Sequence, residues 1–347
     1  MISHRSLTLR LVAAAVMASA IAGCQSAGPA SDTTDSAAGD CAATLSMPLD
    51  SERAVPAPKD TPRRARRVHL RYVAKVTELT AGAPVKLWIP VPAADPHQRP
   101  GPLTVTSPLP WRETRAGPNR MIFVEGAAPG TELTVAVEYD IRREESFGSR
   151  PESRPGMPSA TLLVVNDEIR ALAMKAEGTT PRELGRALFE LVRERMSYDK
   201  SGEGWGRGDS AFACDVGRGN CTDFHALFMA CCIVRGIPSR FQIGLYGPAA
   251  ATAETTELGG YHCWAEFYAD GAWVPVDISE ADKHPEQAER HFGRHSPNRI
   301  TLSTGRDLTL EPPQQGPALN AFVNPYVEVR GAPHAAVTKR ATWRDLP

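Results

Sequence analysis

Between Val68 and Ile141 apolar and polar positions alternate, in the runs Val68-Leu70-Tyr72-Ala74, Val85-Leu87-Ile89, Met121-Phe123 and Leu133-Val135-Val137-Tyr139. A period of two puts one face of each run on a core and the other in water, the signature of a strand. Turn formers separate the runs at Ala81-Gly82, Gly101-Pro102, Pro118-Asn119 and Pro129-Gly130-Thr131. No helical period appears here, so the pattern predicts a small antiparallel β-sandwich over residues 65–145, with Pro90 and Pro92 ending its second strand. From about Glu144 to Ser159 the chain is rich in Gly, Pro, Ser and Arg and reads as a linker.

The period then changes. Asn166 caps a predicted helix with Asp167 and Glu168 in its first turn, Ile169, Leu172, Ala173 and Ala176 on one face, and Gly178 as a stop. Thr180-Pro181-Arg182-Glu183 is a capping box with proline at the first helical position, followed by an apolar stripe of Leu184, Leu188, Leu191, Val192 and Met196. A third helix is predicted from near Asn220 or Cys221 to Arg235, with Gly236 as its C-terminal cap and Pro238 beyond. It is apolar nearly all round, which places it in the middle of a domain. Strands follow at 240–246, 261–268 and 273–277, the last two joined by Asp270-Gly271. Helices followed by a strand meander indicate an α+β domain over residues 160–330, with 331–347 left as a C-terminal tail.

The first residues belong to a different kind of segment. His4, Arg5 and Arg10 precede an apolar run from Leu11 to Ala22 that is short for a membrane span and ends in small residues. Residues 1–23 read as a signal peptide, and Ile21-Ala22-Gly23-Cys24 resembles a lipobox, so Cys24 is the expected lipidation site. An ordinary signal peptide with an incidental cysteine is the alternative, and export follows either way. Gln25 is not the Asp that retains some lipoproteins at the inner membrane, so the expected location is the periplasmic face of the cell envelope, at the outer membrane. Residues 24–64, rich in Ser, Ala, Asp, Thr and Pro, bury too little apolar surface to offset their ordering entropy and are expected to be a disordered tether.

Length and charge narrow the function. A chain of 347 residues suggests about two domains. The 39 basic and 40 acidic side chains nearly cancel, so no bulk field steers the protein toward nucleic acid. Of seven cysteines, Cys24 and Cys41 fall ahead of the folded regions; Cys214, Cys221, Cys231, Cys232 and Cys263 are too sparse for a disulfide scaffold. His69, His97, His284, His291 and His295 lack converging partners at ligand spacing, so neither a metal nor a cofactor is called for.

A thiol is nucleophilic as its thiolate, and a helix N-terminus beside a histidine favours that form. Cys221 stands at such an N-terminus, after the flexible Gly217, Gly219 and Asn220, where its own backbone N–H can face a carbonyl oxygen. A hairpin across Asp270-Gly271 brings His262 and Asp277 side by side, as a base and the carboxylate that fixes its tautomer.

Gly219-Asn220-Cys221-Thr222-Asp223-Phe224, Gly236-Ile237-Pro238-Ser239-Arg240-Phe241, His262-Cys263-Trp264-Ala265-Glu266 and Trp273-Val274-Pro275-Val276-Asp277 resemble, in order and spacing, the bacterial transglutaminase-like superfamily. Tyr198 and Gly305-Arg306-Asp307 extend the resemblance to roughly residues 166–327. It implies a papain-like core of helices packed on an antiparallel sheet, with nucleophile Cys221, base His262 and acid Asp277. The preceding sandwich looks like the N-terminal domain often found in such proteins. Cys263 departs from the small residue usual after the histidine; core packing and pairing with Cys214 are both open.

Blander readings stand beside these. Cys231 and Cys232 lie on the buried body of the helix and read as core. His225, one turn from Cys221, lacks an evident acid partner. Trp205, Tyr198 and Asn220 are candidates for a second oxyanion donor, and Tyr198 and Trp264 read equally well as core aromatics. The expected activity is acyl transfer from amide bonds of peptides or proteins through a thioester, as a peptidase, amidase or cross-linking enzyme. The alternative is a non-catalytic envelope module that binds peptide or protein in the same cleft.

Overall fold

The protein is described here by a computed structural model covering residues 53–59 and 63–347. The expected signal peptide, Cys24, Cys41 and most of the expected tether lie outside the described residues; the end of the tether is a correction, because Ala54 bridges Ser149 and Val55 N–H donates to the Gly148 carbonyl at 2.9 Å. In chain order the first elements are strands β1 (Ala65–Val76), β2 (Pro84–Val91), β3 (Gln98–Pro100), β4 (Thr104–Thr106), β5 (Trp111–Ala116), β6 (Asn119–Ala127) and β7 (Leu133–Glu144). Helices α1 (Asp167–Met174) and α2 (Pro181–Arg195) follow, then β8 (Ser197–Tyr198), α3 (Ser210–Val216), β9 (Arg218–Gly219) and α4 (Cys221–Val234). The rest comprises β10 (Ser239–Tyr246), β11 (Thr256–Leu258), β12 (His262–Ala269), β13 (Ala272–Val276), α5 (Ile278–Lys283), a 3-10 turn at Pro285–His291, β14 (Arg299–Thr304), β15 (Tyr326–Val329), β16 (Ala332–Pro333) and β17 (Val337–Asp345).

Two sheets form the sandwich, one ordered β11-β17-β1-β7-β3 with β4 also on β7, the other β16-β15-β2-β6-β5. The alternation in β1 works as the sequence implies: Val68, Leu70, Tyr72, Ala74 and Val76 are buried, facing Ile141, Tyr139, Val137, Val135 and Leu133 of β7. The expected tail is a correction. Val337–Asp345 pairs antiparallel with β1 over its whole length, and β15 pairs with β2, so the chain leaves the sandwich, builds the helical core and returns to complete both sheets. Only Ala341 and Trp343 of β17 are buried apolar residues. Lys339 occupies an inward register position, which breaks the alternation a sequence reader looks for.

Two smaller differences have local causes. Strand β2 continues through Pro90, opposite Met121 of β6. On its other side β15 reaches only Val85 to Trp88, so the missing N–H of Pro90 falls where no neighbour asks for it. Residues 145–150, expected in a linker, are instead packed between sandwich and core: Glu145 is fully buried and pairs with Arg64 and Arg294, while Ser146 and Ser149 bridge His295 and Trp273. Gly148 has φ +114°, and a Cβ there would lie 2.2 Å from the Trp273 carbonyl oxygen, so only glycine fits.

The core sheet is ordered β13-β12-β10-β14, and α4 lies against β12 and β10. Helix α4 is buried from Cys221 to Cys232, enclosed by α1, α2, α3 and α5. Its ends are well specified. Asn220 and Asp223 form a capping box, and Gly236, at φ 67°, lets Ile237 N–H reach the Cys232 carbonyl at 2.9 Å. The capping box of Thr180 and Glu183 starts α2, as expected, while α3, capped by Asp209, was not foreseen.

Candidate active site

Strands β8 and β9 pair in parallel and aim the chain at the N-terminus of α4. Asn220 is held there from both sides. Its Oδ1 accepts from Thr222 N–H at 2.8 Å, its Nδ2 donates to the Tyr261 hydroxyl at 3.1 Å, and its N–H donates to Asp223 Oδ2 at 2.9 Å. The fully buried Asp223 carboxylate also accepts from Gly206 N–H at 2.6 Å and Gly208 N–H at 2.9 Å, tying the 206–208 loop to the helix start. A Cβ on Gly219 would sit 2.4 Å from Asp223 Oδ2, so this approach excludes every larger residue. Cys221 is thereby fixed as the first helical residue, 2% exposed, where its N–H has no partner inside the helix.

His262 opens β12 and Asp277 follows β13, and the hairpin brings them together as the sequence implied: His262 Nε2 donates to Asp277 Oδ2 at 2.7 Å. The other ring nitrogen makes no hydrogen bond elsewhere among the described residues, and the imidazole charge acts on the Cys221 thiol. Asp277 is fully buried and also caps α5, accepting from Ser279 Oγ at 3.0 Å and Glu280 N–H at 3.1 Å on Oδ1. Arg299, itself buried, donates to Oδ2. Rings of Tyr246 and Trp264 stand 4.9 and 6.0 Å from the imidazole, and the Arg299 guanidinium lies 4.8 Å from the Tyr246 ring.

These contacts set the charges. For Cys221 the largest influence is a hydrogen bond from the Cys263 thiol; with the hydrogen bond and charge of His262 it outweighs burial and holds the Cys221 thiol well below its ordinary range. Burial pushes His262 down, but Asp277 and Cys221 overcome it and raise the imidazole to about 9. Burial would likewise raise Asp277, and the His262 and Arg299 charges instead hold it well below the usual carboxylate range. The arrangement favours a thiolate–imidazolium pair across neutral pH.

His225 is also buried beside Cys221, yet both its nitrogens are committed. Nδ1 donates to the Cys221 carbonyl at 2.6 Å and Nε2 accepts from Ile278 N–H at 3.2 Å, while burial lowers its pKa. It braces the helix start against α5. Of the oxyanion candidates, the Asn220 side chain has its Oδ1 engaged in capping and its Nδ2 donating to the Tyr261 hydroxyl. Tyr198 stacks on Phe224 at 6.3 Å and feels the Cys221 charge, and Trp205 stands beside Lys200 in the preceding loop. Cys263 and Cys214 are free thiols; Cys263 Sγ lies 3.8 Å from Thr222 Oγ1 and 3.7 Å from His225 Nδ1, whereas Cys214 lies at the end of α3 near Arg195. Cys231 and Cys232 are buried in α4, and burial raises both thiols.

Sequence reading missed Arg299, Tyr246, Tyr261 and the supporting part of Cys263. Arg299 sits more than twenty residues beyond Asp277 in a segment with no motif of its own, and its partnership exists only because β14 lies beside β10. Arg306 and Asp307 serve the fold: Arg306 Nε donates to Asn320 Oδ1 at 2.9 Å, and Asp307 accepts from the Thr161 hydroxyl at 2.7 Å.

Comparison with known proteins agrees with this core. Residues 170–278 match the Transglutaminase-like superfamily. A protein of Haemophilus influenzae without an assigned activity is 29% identical over 186 residues, 45% of this chain and 50% of that one. The chain therefore spans about half the length of the curated relative it matches. Among solved structures, a candidate cysteine protease from Cytophaga hutchinsonii superposes with a TM-score of 0.54 at 14% identity, over 82% of this chain and 92% of that one. The shared feature is the fold: a mixed, mostly antiparallel α+β protein with a transglutaminase-like, papain-type core.

Proposed function

We propose that Cys221, His262 and Asp277 form a catalytic triad for acyl transfer from amide bonds of peptides or proteins. The observation that carries this reading is the buried His262–Asp277 hydrogen bond beside Cys221 at the start of α4, with Asp277 saturated by further donors. The Cys221 thiolate attacks the carbonyl carbon, and the developing oxyanion meets the Cys221 N–H. The carbon–nitrogen bond breaks as His262 gives its proton to the leaving amine, leaving a thioester on Cys221. Water or a primary amine, losing its proton to His262, then attacks the thioester and frees the thiolate. Tyr198 and the more exposed Tyr261 flank the thiol and give the substrate an aromatic rim.

The same reading places the enzyme in the cell envelope. The basic start, the short apolar run and the Ile21-Ala22-Gly23-Cys24 motif support export with a lipid on Cys24, and two or more acyl chains suffice for stable anchoring. Envelope peptides are then the accessible substrates.

The test is iodoacetamide labelling of Cys221 against pH, in wild type and His262→Ala, beside turnover of a peptide amide. Labelling of the wild type should stay fast well below the ordinary thiol range near 8.5 and slow in the variant. Acyl transfer, unlike labelling, should decline as pH rises through about 9, because His262 is protonated below that value and has no proton for the leaving amine above it. A Cys221 that labels slowly at neutral pH, unchanged by His262→Ala, leaves a peptide-binding module in place of an enzyme.

A further inference from the structure

A cavity of about 360 Å³ lies between the sandwich and the core sheet, on the side of that sheet away from α4. Its walls come from the 93–98 segment, the end of β7, the 146–152 segment, and β10, β12 and β14; none of the triad residues lines it. Of the eleven buried side-chain nitrogen and oxygen atoms without a hydrogen-bond partner among the described residues, five belong to residues that line this one cavity: Arg53 Nε, His97 Nδ1, Arg143 Nε, Thr301 Oγ1 and Ser303 Oγ. Four of those residues are more than nine-tenths buried, at 4% for His97, 3% for Arg143, 8% for Thr301 and 2% for Ser303.

Buried polar atoms without partners are uncommon, since each forfeits about 1–3 kcal/mol, and five around one space form a receptor surface. Its polarity is specific. Arg143 is a buried guanidinium whose only ion pair among the described residues, to Asp95 Oδ1, is long at 3.5 Å; the other carboxylates of the lining, Glu152 and Glu266, are paired with Arg53 and Arg240, though the Glu266 charge also acts on Arg143. Arg143 therefore offers a free Nε–H, and Arg53, whose Nη1 pairs with Glu152, offers another. His97 Nε2–H is spent on the Gly148 carbonyl at 2.8 Å, which makes Nδ1 an acceptor. Burial, followed by the Arg143 charge, lowers the pKa of His97 and keeps it neutral. Thr301 and Ser303 each add a hydroxyl able to give or take.

We propose that this cavity is a binding site for a small carboxylate that also carries an N–H or O–H donor, the chemistry shared by free amino acids and hydroxy acids. The carboxylate lies against Arg143 and Arg53, the donor against His97 Nδ1, and the hydroxyls of Thr301 and Ser303 close the set. The Gln98 amide pins that wall, donating to the Thr301 carbonyl and accepting from its N–H, both at 2.9 Å, so the pocket is formed before a ligand arrives.

Calorimetric titration of the folded chain tests this with glycine, lactate, acetate and glycinamide as probes. Glycine or lactate should bind, acetate more weakly for want of the donor, and glycinamide not at all for want of the carboxylate. Arg143→Gln should weaken binding about tenfold or more, and Ser303→Ala, which keeps the fold if Arg143→Gln does not, several-fold. Both variants should keep the wild-type Cys221 labelling rate. Absence of heat from glycine and lactate at millimolar concentration, binding of glycinamide as tight as glycine, or Ser303→Ala binding like wild type would each overturn the proposal, leaving a cavity that holds only water.

Discussion

Strand β12 points His262, Trp264 and Glu266 to one face, and its two ends meet opposite polar environments. At the His262 end the Asp277 carboxylate is fully engaged, while Arg299 Nε and Glu280 Oε1 are the atoms left without a hydrogen-bond partner among the described residues. Asp277 alone accepts from His262, Arg299, Ser279 and the Glu280 N–H, and the result is a fixed distribution of charge around Cys221. At the Glu266 end the same sheet borders a cavity whose lining residues carry five buried polar atoms without a partner among the described residues. Gln242 joins the two, lining the cavity and accepting from Trp264 Nε1 at 2.7 Å. A saturated network holds a protonation state in advance of the reaction; an unsaturated one retains its hydrogen-bonding capacity for something that arrives.

The strongest way to break this contrast is to remove one carboxylate from each end. Asp277→Asn leaves the buried Arg299 without its counter-charge and His262 without its tautomer, so turnover of a peptide amide should fall about 10²–10⁴-fold. Urea unfolding of the same variant should show a loss of about 3–5 kcal/mol, the scale for a broken buried pair. Glu266→Gln replaces a buried carboxylate by an amide and leaves its partner Arg240, 30% exposed, to solvent, so it should cost less than Asp277→Asn, about 1–3 kcal/mol, with labelling of Cys221 unchanged. Equal losses from the two variants would mean that the ends of β12 are not different in kind.

Within the saturated end, Cys263 allows a finer test. Its thiol is pushed well above the ordinary range, chiefly by burial and then by its hydrogen bond to Cys221, so it stays protonated and donates. Cys263→Ala removes that donor while leaving His262 and Asp277 in place. The apparent pKa of Cys221 should rise, read as an upward shift of the iodoacetamide rate profile. An unmoved profile would assign the whole effect to His262.

How much of this was legible beforehand depends on the range of the interactions. Helix α4, with Asn220 as its cap and Cys221 as its first residue, follows from local signals: a capping box, an apolar body, and glycine and proline at its end. The pairing of His262 with Asp277 was also legible, because a two-residue turn at Asp270-Gly271 fixes the register between β12 and β13. The return of Val337–Asp345 to β1 was not, since the two strands are separated by the entire helical core and β17 carries only two buried apolar anchors. Arg299 and the cavity were hidden for the same reason. Each is assembled from segments whose meeting is decided by sheet order, and none of those segments carries a pattern that names its partner.

The smallest expected effect separates two buried serines. Ser279 is fully buried and donates to Asp277 Oδ1 at 3.0 Å; Ser303 is 2% exposed and its hydroxyl has no protein partner. Replacing each by alanine deletes the same atom from interiors of similar burial, so the difference isolates what the hydroxyl was bonded to. Ser279→Ala removes a hydrogen bond to a charged acceptor and should destabilise by about 1.5–3 kcal/mol. Ser303→Ala removes a desolvated hydroxyl that contributes nothing to the ligand-free protein, and should leave stability within about 0.5 kcal/mol or raise it slightly. Adding glycine should then separate wild type from Ser303→Ala, because only the wild type retains a hydroxyl for the ligand to engage, and ligand binding raises the unfolding midpoint of the form that binds. If Ser303→Ala instead loses as much as Ser279→Ala without ligand, that hydroxyl is held by ordered water in the resting protein, and the two ends of β12 are alike in being satisfied.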